Sequence, residues 1–259
     1  MPPSENRAAR YDRIGESYGA LRREDPFFRE RIHAALGDAR SVVNVGAGTG
    51  SYEPRDRHIV AVEPSDVMAG QRPRELAPAI QAWADHLPLR SQSVDAAMAI
   101  LSLHHWDGTQ REGVAEMRRV ARGPVVIMTY DPRVSSRMWL MADYLPELAE
   151  LDRAIFPEPE EIAGWLGRAR IETLPIPGDT PDRMLGSFWR HPERVLDPRA
   201  RQATSGFARQ PESVIERVVT QIESDLRDGT WDRKYGHLRT LSELDVGLRL
   251  IAGDPTVEA

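Results

Sequence analysis

The stretch Val42–Gly50, which reads VVNVGAGTG, decides the fold. The β-branched run Ser41–Val45 is typical of a buried strand, and it stops abruptly at Gly46, Gly48 and Gly50. Glycine has no Cβ atom, so such a turn exposes backbone N–H groups and lets the main chain come close to a ligand. Turns also need glycine for purely structural reasons, so the cluster alone leaves both interpretations open.

A second short strand, predicted at His58–Val62, ends at the acidic residue Glu63. A carboxylate in this position can accept hydrogen bonds from both hydroxyls of an adenosine ribose. The alternative is a solvated loop carboxylate. The order of strand, glycine loop, strand and acid favours nucleotide binding.

The spacing of the glycines argues against a dinucleotide. The dinucleotide fingerprint is G-x-G-x-x-G, whereas this chain has G-x-G-x-G with Ser51 next. The short interval Ser51–His58 also leaves too little room for a first helix of several turns. We therefore expect that helix to be vestigial and assign no strong helix dipole to the site.

Strands and helices alternate on both sides of this stretch. Phe28, Ile32 and Leu36 recur on one face of a helix predicted at Tyr11–Leu36, and Val114, Met117 and Val120 do so on a later helix. Alternation of this kind predicts a mostly parallel sheet with helices on both faces. The remaining predicted elements are strands at Gln81–Ala84, Val94–Leu103, Val125–Tyr130, Ile171–Ile176 and Asp245–Ala252, and helices at Ser135–Leu151, Pro159–Gly167 and around Val214–Leu226.

Composition narrows the function classes. The chain has 259 residues and no cysteine, which excludes thiolate chemistry. Its formal net charge of −6 argues against nucleic-acid binding that is mainly electrostatic. No run of about 18 apolar residues is present, and the first residues lack the apolar segment of a secretory signal. We expect a cytoplasmic protein with no membrane or nucleic-acid partner; the sequence leaves the oligomeric state open.

Three stretches together resemble the motifs of class I S-adenosylmethionine (SAM)-dependent methyltransferases. They are VVNVGAGTG, then VAVEPSDVM at Val60–Met68, then AWADHLPLRSQSVDAAMAILSLHHW at Ala82–Trp106. The resemblance implies an α/β, Rossmann-like, doubly wound and mostly parallel seven-stranded sheet. It also implies SAM as cofactor, with S-adenosylhomocysteine as product. The pattern Y-D-x-x-x-x-x-Y at Tyr11 and Tyr18 resembles the small-molecule branch.

The resemblance also implies which residues hold the cofactor. Two positions depart from the family pattern: Asn44 replaces an acid that bears on the cofactor's amino group, and Trp83 replaces an adenine-binding Asp. The residues predicted to line the cofactor are Tyr11, Tyr18, Asn44, Gly46, Ala47, Gly48, Gly50, Glu63, Pro64, Met68, Ala84, Asp85 and Leu101.

The predicted organisation has four parts. Residues 1–37 form an N-terminal helical lid, 38–176 the SAM-binding core, 177–241 a helical cap inserted before the last strand, and 242–259 that strand and a tail. An insertion so much longer than the usual connection of about 4–6 residues tends to be functional. We expect it to close the acceptor pocket, with Trp189 facing the acceptor. The alternative is packing on outer helices or a dimer contact.

The catalytic candidates are His104, His105 and Asp131, which follow strands at the edge where such sheets bind ligands. The histidines could instead form a structural corner beside Trp106. Their adjacency, opposite directions if extended, and lack of a helical H-x-x-x-H partner predict no metal site. We expect methyl transfer to a small organic acceptor, such as a natural-product or metabolic intermediate. The alternatives are a SAM-binding protein without methyl transfer, and methylation of nucleic acid or protein.

Overall fold

A computed structural model describes residues 23–202 and 204–253. The strands of the main sheet are short, and helices separate most of them. No helix in this part of the chain is long and apolar enough to cross a membrane. The helices are α1 (Pro26–Ala35), α2 (Asp66–Gly70), α3 (Gln110–Val120), α4 (Pro132–Ser135), α5 (Pro146–Ile155), α6 (Pro159–Leu166), α7 (Pro198–Gln202), α8 (Ser205–Ala208), α9 (Glu212–Arg227) and α10 (Thr230–Tyr235).

Seven strands form the main sheet in the order β3-β2-β1-β4-β5-β9-β6. Neighbours from β3 to β5 are parallel, whereas β9 lies antiparallel to both β5 and β6. The sheet's order reverses beside β1, and ligands bind in open α/β sheets at such switch points. The strands are β1 (Ser41–Val45), β2 (His58–Val62), β3 (Ala79–Ile80), β4 (Ala96–Ile100), β5 (Val125–Tyr130), β6 (Ala169–Thr173) and β9 (Leu248–Gly253), while β7 (Ile176–Pro177) pairs with β8 (Glu243–Leu244) in a separate ribbon.

Both faces of the sheet are buried, because alternate side chains of a strand point to opposite faces. Val126 and Met128 of β5 join the core that contains α1 and the insertion. Val125 and Ile127 join the second core, under α3 and α6. This two-sided burial explains why the strands read as nearly continuous apolar runs rather than as alternating ones.

The first half of the fold is the part that was predicted best. The bounds of β1, β2 and β5 are as predicted. Phe28 and Ile32 on α1, and Leu36 directly after it, are fully buried. No helix occurs between Gly46 and Arg57, as the short interval predicts. The seven-stranded, mostly parallel sheet is confirmed.

Other boundaries were wrong. The third strand is Ala79–Ile80 instead of Gln81–Ala84, because its partner β2 already ends at Val62. The fourth stops at Ile100, since Leu101 adopts a left-handed backbone with φ of 51°. The predicted helix Ser135–Leu151 is broken, because Leu145 is not helical before Pro146. The last strand begins at Leu248 rather than at Asp245, and β6 at Ala169 rather than at Ile171.

Residues 177–241, hereafter the insertion, are mainly helical and share the core that also holds α1. Trp189 in this segment is fully buried, and its indole N–H donates to the carbonyl of Ile176 at 3.1 Å. The indole of Trp139 in turn donates to the carbonyl of Trp189 at 2.9 Å. Trp189 therefore packs as a core residue, and the expectation that it faces the acceptor was wrong.

We expect Trp189→Ala to lower the free energy of unfolding by about 3–5 kcal/mol, the usual cost of a large cavity in a core. Trp189→Phe keeps most of the volume but leaves the Ile176 carbonyl without its donor, so it should cost about 1–3 kcal/mol. Urea denaturation measures both. A loss below about 1 kcal/mol for Trp189→Ala would show that this side chain is not part of the core.

Candidate active site

A cavity lies at the carboxyl ends of β1, β2 and β4, where the sheet order reverses. Its walls come from the glycine loop, from the end of β2 with α2, from the loop after β3, and from the segment after β4. We call it the cofactor cavity. Its lining residues are Asn44, Gly46, Ala47, Gly48, Thr49, Ser51, Tyr52, Glu63, Pro64, Met68, Ala82, Trp83, Ala84, Asp85, Ile100, Leu101, Ser102, His105, Trp106, Thr109 and Ser205.

The glycine loop follows from backbone conformation and close packing. Gly46 and Gly50 have φ of 71° and 93°, a region that side chains with a Cβ rarely adopt. A Cβ at Gly46 would lie 2.6 Å from the Cβ of Ser102, and one at Gly50 would lie 2.3 Å from a methyl group of Leu76. The N–H groups of Gly46 and Ala47 donate to the carbonyl of Val62, which fastens the loop to the end of β2.

Glu63 leaves β2 directly beside this loop. Its carboxylate accepts the N–H of Gly48 at 2.8 Å and that of Ser65 at 2.9 Å. Burial raises the pKa of Glu63, and these two backbone N–H groups oppose that effect. Each carboxylate oxygen can accept more than one hydrogen bond, so Glu63 keeps acceptor capacity for ligand hydroxyls.

Asn44, at the end of β1, belongs to a buried polar cluster behind the glycine loop. Its side-chain N–H₂ donates to Glu53 at 2.9 Å, and Glu53 pairs with Arg72 through contacts of 3.0 and 2.9 Å. Arg72 also donates to the carbonyls of Gly48 and Ala77. The Oδ1 atom of Asn44 is buried and accepts no hydrogen bond from the described residues.

A second cavity adjoins the first, because Leu101 and Ser205 line both. We call it the acceptor cavity. Most of its walls are apolar, and the insertion contributes Met184 to Gly186, Thr204 to Gly206, and Arg209. The other lining residues are Leu101, His104, Tyr130, Ser135, Met138, Met141, Leu148, Asp152, Phe156 and Val246.

The two histidines after β4 divide between the cavities: His105 lines the first and His104 the second. They sit on a 3₁₀ turn, Leu103–His105, rather than on an extended chain, and their ring centroids are 3.7 Å apart. His105 Nδ1 accepts a hydrogen bond from Arg209. His104 stacks on Phe156 at 4.2 Å, and its Nδ1 atom is buried without a partner among the described residues.

Both imidazoles are neutral near pH 7. Burial lowers the pKa of His105 to about 3, with a further contribution from the charge of Arg209. Burial also lowers the pKa of His104 well below its usual value, and His105 and Arg209 add to that effect. His104 can therefore orient a ligand hydrogen through Nδ1, but it is a poor acceptor for a whole proton.

Comparisons with known proteins agree with this geometry. Residues 43–127 match the model of a methyltransferase domain family. A solved structure described as a methyltransferase from an antibiotic biosynthesis pathway of Anabaena variabilis is 31% identical, covers 90% of this chain and 98% of its own, and superposes with a TM-score of 0.83. The chain belongs to the class I SAM-dependent methyltransferase family.

More distant structures share the fold of this methyltransferase. One is a SAM-dependent methyltransferase of Thermotoga maritima, which is 14% identical, covers 96% of this chain and 100% of its own, and has a TM-score of 0.54. Another is a phosphoethanolamine N-methyltransferase of Haemonchus contortus, which is 13% identical, covers 96% of this chain and 56% of its own, and has a TM-score of 0.52. A search of curated proteins finds no match.

SAM is the cofactor of this methyltransferase, and the residues of the cofactor cavity fit it. The glycine loop lets the backbone come close, Glu63 offers carboxylate oxygens for ribose hydroxyls, and the orphaned Asn44 Oδ1 offers an acceptor for an N–H donor. Among the residues that the structure describes, no group of His, Asp and Glu is arranged to hold a metal ion.

Most of the predicted cofactor residues of the methyltransferase lie along this cavity. Gly50 does not line it, because it turns behind the loop against Leu76. Tyr11 and Tyr18 lie outside the described residues. Those that line it are Asn44, Gly46, Ala47, Gly48, Glu63, Pro64, Met68, Ala84, Asp85 and Leu101.

Sequence reasoning missed several residues of both cavities. Ser205 and Arg209 come from the insertion, and Asp152 from the middle of α5, where no motif marks them. Asp152 is partly buried, and this burial raises its pKa to about 7, although Arg209 opposes the rise. Trp83, which stands where the family pattern has an adenine-binding Asp, lines the cofactor cavity.

Asp131, the third catalytic candidate, lines neither cavity of the methyltransferase. It caps α4 by accepting the N–H of Arg133 at 2.9 Å, and it also pairs with the Arg133 guanidinium. Burial raises the pKa of Asp131, but the contacts with Arg133 outweigh that effect and hold the pKa below its usual value. Asp131 therefore has a structural role as a helix cap, and the structure does not place it with the two histidines.

We expect Asp152→Asn and Asp131→Asn to change stability in opposite directions. A carboxyl group whose pKa is raised in the folded state costs stability as the pH rises from 3.8 toward 7. Asp152→Asn removes that cost, so we expect it to raise the free energy of unfolding at pH 8 by about 1–2 kcal/mol. This is less than the full pKa shift implies, because water screens part of the charge. Asp131 has a lowered pKa and contributes stability above its unfolded pKa, so Asp131→Asn should lose roughly 0.5–1 kcal/mol at pH 8.

Denaturation at pH 5 and pH 8 measures both effects. For Asp152→Asn the gain should be clearly smaller at pH 5 than at pH 8, because the cost of the native carboxyl begins at the unfolded pKa of 3.8 and is complete only near pH 7. Equal effects at the two pH values would show that Asp152 is not desolvated.

Proposed function

We propose that this methyltransferase transfers the methyl group of SAM to a small, largely apolar organic molecule held in the acceptor cavity. The observation that carries the proposal is the junction of the two cavities at Leu101 and Ser205. A molecule on the acceptor side would lie next to a methyl group presented from the cofactor side. Met138, Met141, Phe156 and Met184 supply the apolar surface that binds such a molecule.

The insertion serves as the helical cap over that acceptor. Its helix α8 supplies Ser205 and Gly206 to the cavity wall, and a Cβ at Gly206 would lie 2.9 Å from a methyl group of Leu148 on α5. This close approach lets the cap reach the cavity without a gap. We keep the four-part organisation of lid 1–37, core 38–176, cap 177–241 and final segment 242–259 as part of this proposal.

Alignment supplies most of the catalysis. SAM supplies an electrophilic methyl group, and holding the acceptor in line with it can contribute about 7–11 kcal/mol through proximity and orientation. His104 Nδ1 accepts a hydrogen bond from the acceptor and orients it. If the acceptor is a hydroxyl, its one hydrogen points to Asp152, which takes the proton because a pKa of about 7 suits a general base, and His104 then accepts from another donor of the same molecule.

The acceptor class is supported by the shape and charge of the protein. A cavity walled by methionine and phenylalanine side chains suits a small molecule better than a nucleic acid or a folded protein, and the net charge of −6 gives no general attraction for phosphates. The 31% identical relative is described as belonging to an antibiotic biosynthesis pathway, which supports a natural-product intermediate. The expected cytoplasmic location stays a prediction.

We expect Glu63→Ala to weaken binding of S-adenosylhomocysteine by about 1.5–3 kcal/mol, because it removes charged acceptors from the cofactor cavity without removing core volume. Calorimetric titration measures the loss. Glu116→Ala, which removes a carboxylate that does not line the cavity, is the control. Unchanged affinity in Glu63→Ala would refute its place in the cofactor site.

A screen of small apolar compounds with hydroxyl or amino groups, scored by S-adenosylhomocysteine formation, should yield an acceptor. With a hydroxyl acceptor, we expect Asp152→Asn to slow transfer by about 10²-fold or more and His104→Ala to slow it as well. Neither change should alter S-adenosylhomocysteine affinity, because neither residue lines the cofactor cavity. Asp131 lines neither cavity, so Asp131→Asn should keep the transfer rate. Equal losses of rate and cofactor affinity would contradict the assignment of the two cavities.

A further inference from the structure

Glu53 and Arg72, which form a buried cluster with Asn44 beside the glycine loop, have no part in the function proposed so far. The side chains of Arg72 and Glu53 are only 3% and 1% exposed, so this is an ion pair taken out of water. Such pairs often contribute little net stability, because desolvation offsets their attraction. Their position therefore needs another explanation.

Arg72 fixes the glycine loop from below. Its guanidinium donates to the carbonyl of Gly48 at 3.1 Å, while the N–H of the same glycine donates to Glu63 at 2.8 Å. Gly48 is thus held from both polar ends of its backbone. Because no helix follows the loop before β2, Arg72 and Glu53 fill the space beneath it: a Cβ at Gly50 would lie 3.2 Å from both side chains.

Glu53 fixes the orientation of the Asn44 amide. A carboxylate can only accept, so it selects the amide N–H₂ and turns Oδ1 away from itself. Asn44 lines the cofactor cavity, and Oδ1 is the buried atom of this amide without a partner in the described part of the chain. A buried acceptor of this kind is satisfied only by a donor from outside the described residues, and a ligand in the cofactor cavity can supply one.

We propose that Glu53 and Arg72 are positioning residues that act through Asn44 and Gly48. They present Oδ1 of Asn44 to the α-ammonium group at the amino-acid end of the cofactor. This inference rests on the proposed cofactor cavity. Glu63 already offers its oxygens to the ribose, so the donors that remain for Oδ1 are the adenine amine and the α-ammonium group. We assign Oδ1 to the ammonium group, because a hydrogen bond from a charged donor is the stronger one.

The experiment exchanges the amide and the carboxylate between the two positions. Glu53→Gln places two amides together, so the new amide N–H₂ at position 53 favours turning Asn44 with its own N–H₂ toward the ligand. Asn44→Asp places two carboxylates together, which cannot both stay ionised in a buried site. In the double variant, Asn44→Asp with Glu53→Gln, an amide again donates to a carboxylate, and an oxygen again faces the cavity.

We expect each single change to weaken S-adenosylhomocysteine binding on the order of tenfold, and the double change to restore it to within about threefold of the original chain. The comparison ligand is 5′-methylthioadenosine, which keeps the nucleoside and lacks the amino-acid end. Its affinity should stay nearly constant in all three variants. Calorimetry measures both ligands, and thermal unfolding checks that each variant folds.

Three results would overturn the proposal: unchanged S-adenosylhomocysteine affinity in the single variants, an equal loss for 5′-methylthioadenosine, or additive losses in the double variant. If Asn44→Asp fails to fold, the ratio of the two affinities in Glu53→Gln still decides. An unaltered chain that binds neither ligand would instead refute the cofactor cavity itself, which separates the two failures.

Discussion

The sharp end of β1 is the constraint on which the rest of the site depends. The chain turns at Gly46 because its backbone is left-handed there and because Ser102 leaves no room for a Cβ. Ser102 itself donates to the carbonyl of Val45 at 2.9 Å, so the segment after β4 is attached to the last residue of β1. The same turn therefore sets both the glycine loop and the start of the segment that carries the two histidines.

Tyr52 extends this constraint to the helical parts of the molecule. It lines the cofactor cavity, is fully buried and has a left-handed backbone with φ of 65°. Its hydroxyl donates to Asp182 of the insertion at 2.7 Å and accepts the N–H of Asp25, which caps α1, at 3.2 Å. The loop that holds the cofactor, the helix before the sheet and the insertion thus meet at one side chain. A change in any one of them bears on the other two.

The parts of the fold that sequence predicts best are those fixed by local patterns. The strands β1, β2 and β5 are apolar runs bounded by glycine, proline or an acid, and Ser65 caps α2 as its position suggests. The glycine loop and Glu63 also follow from spacing. What sequence does not give depends on contacts between distant segments: Asn44 reads as a lost acid until Glu53, nine residues on, is seen to accept from it. Trp189 likewise reads as a binding residue until Ile176 and Trp139 enclose it.

The histidine pair shows how adjacent residues can acquire different parts. The 3₁₀ turn after β4 brings their rings together, yet it directs one to each cavity. A guanidinium beside both rings makes a positive imidazolium costly, and burial adds to that cost. Imidazoles whose pKa values are lowered this far are poor proton acceptors near pH 7, although a neutral ring can orient a hydrogen. In the proposed function, a proton that the acceptor loses therefore goes to a carboxyl group whose pKa burial raises. Asp152 on α5 lines the acceptor cavity, and its raised pKa makes it such a group.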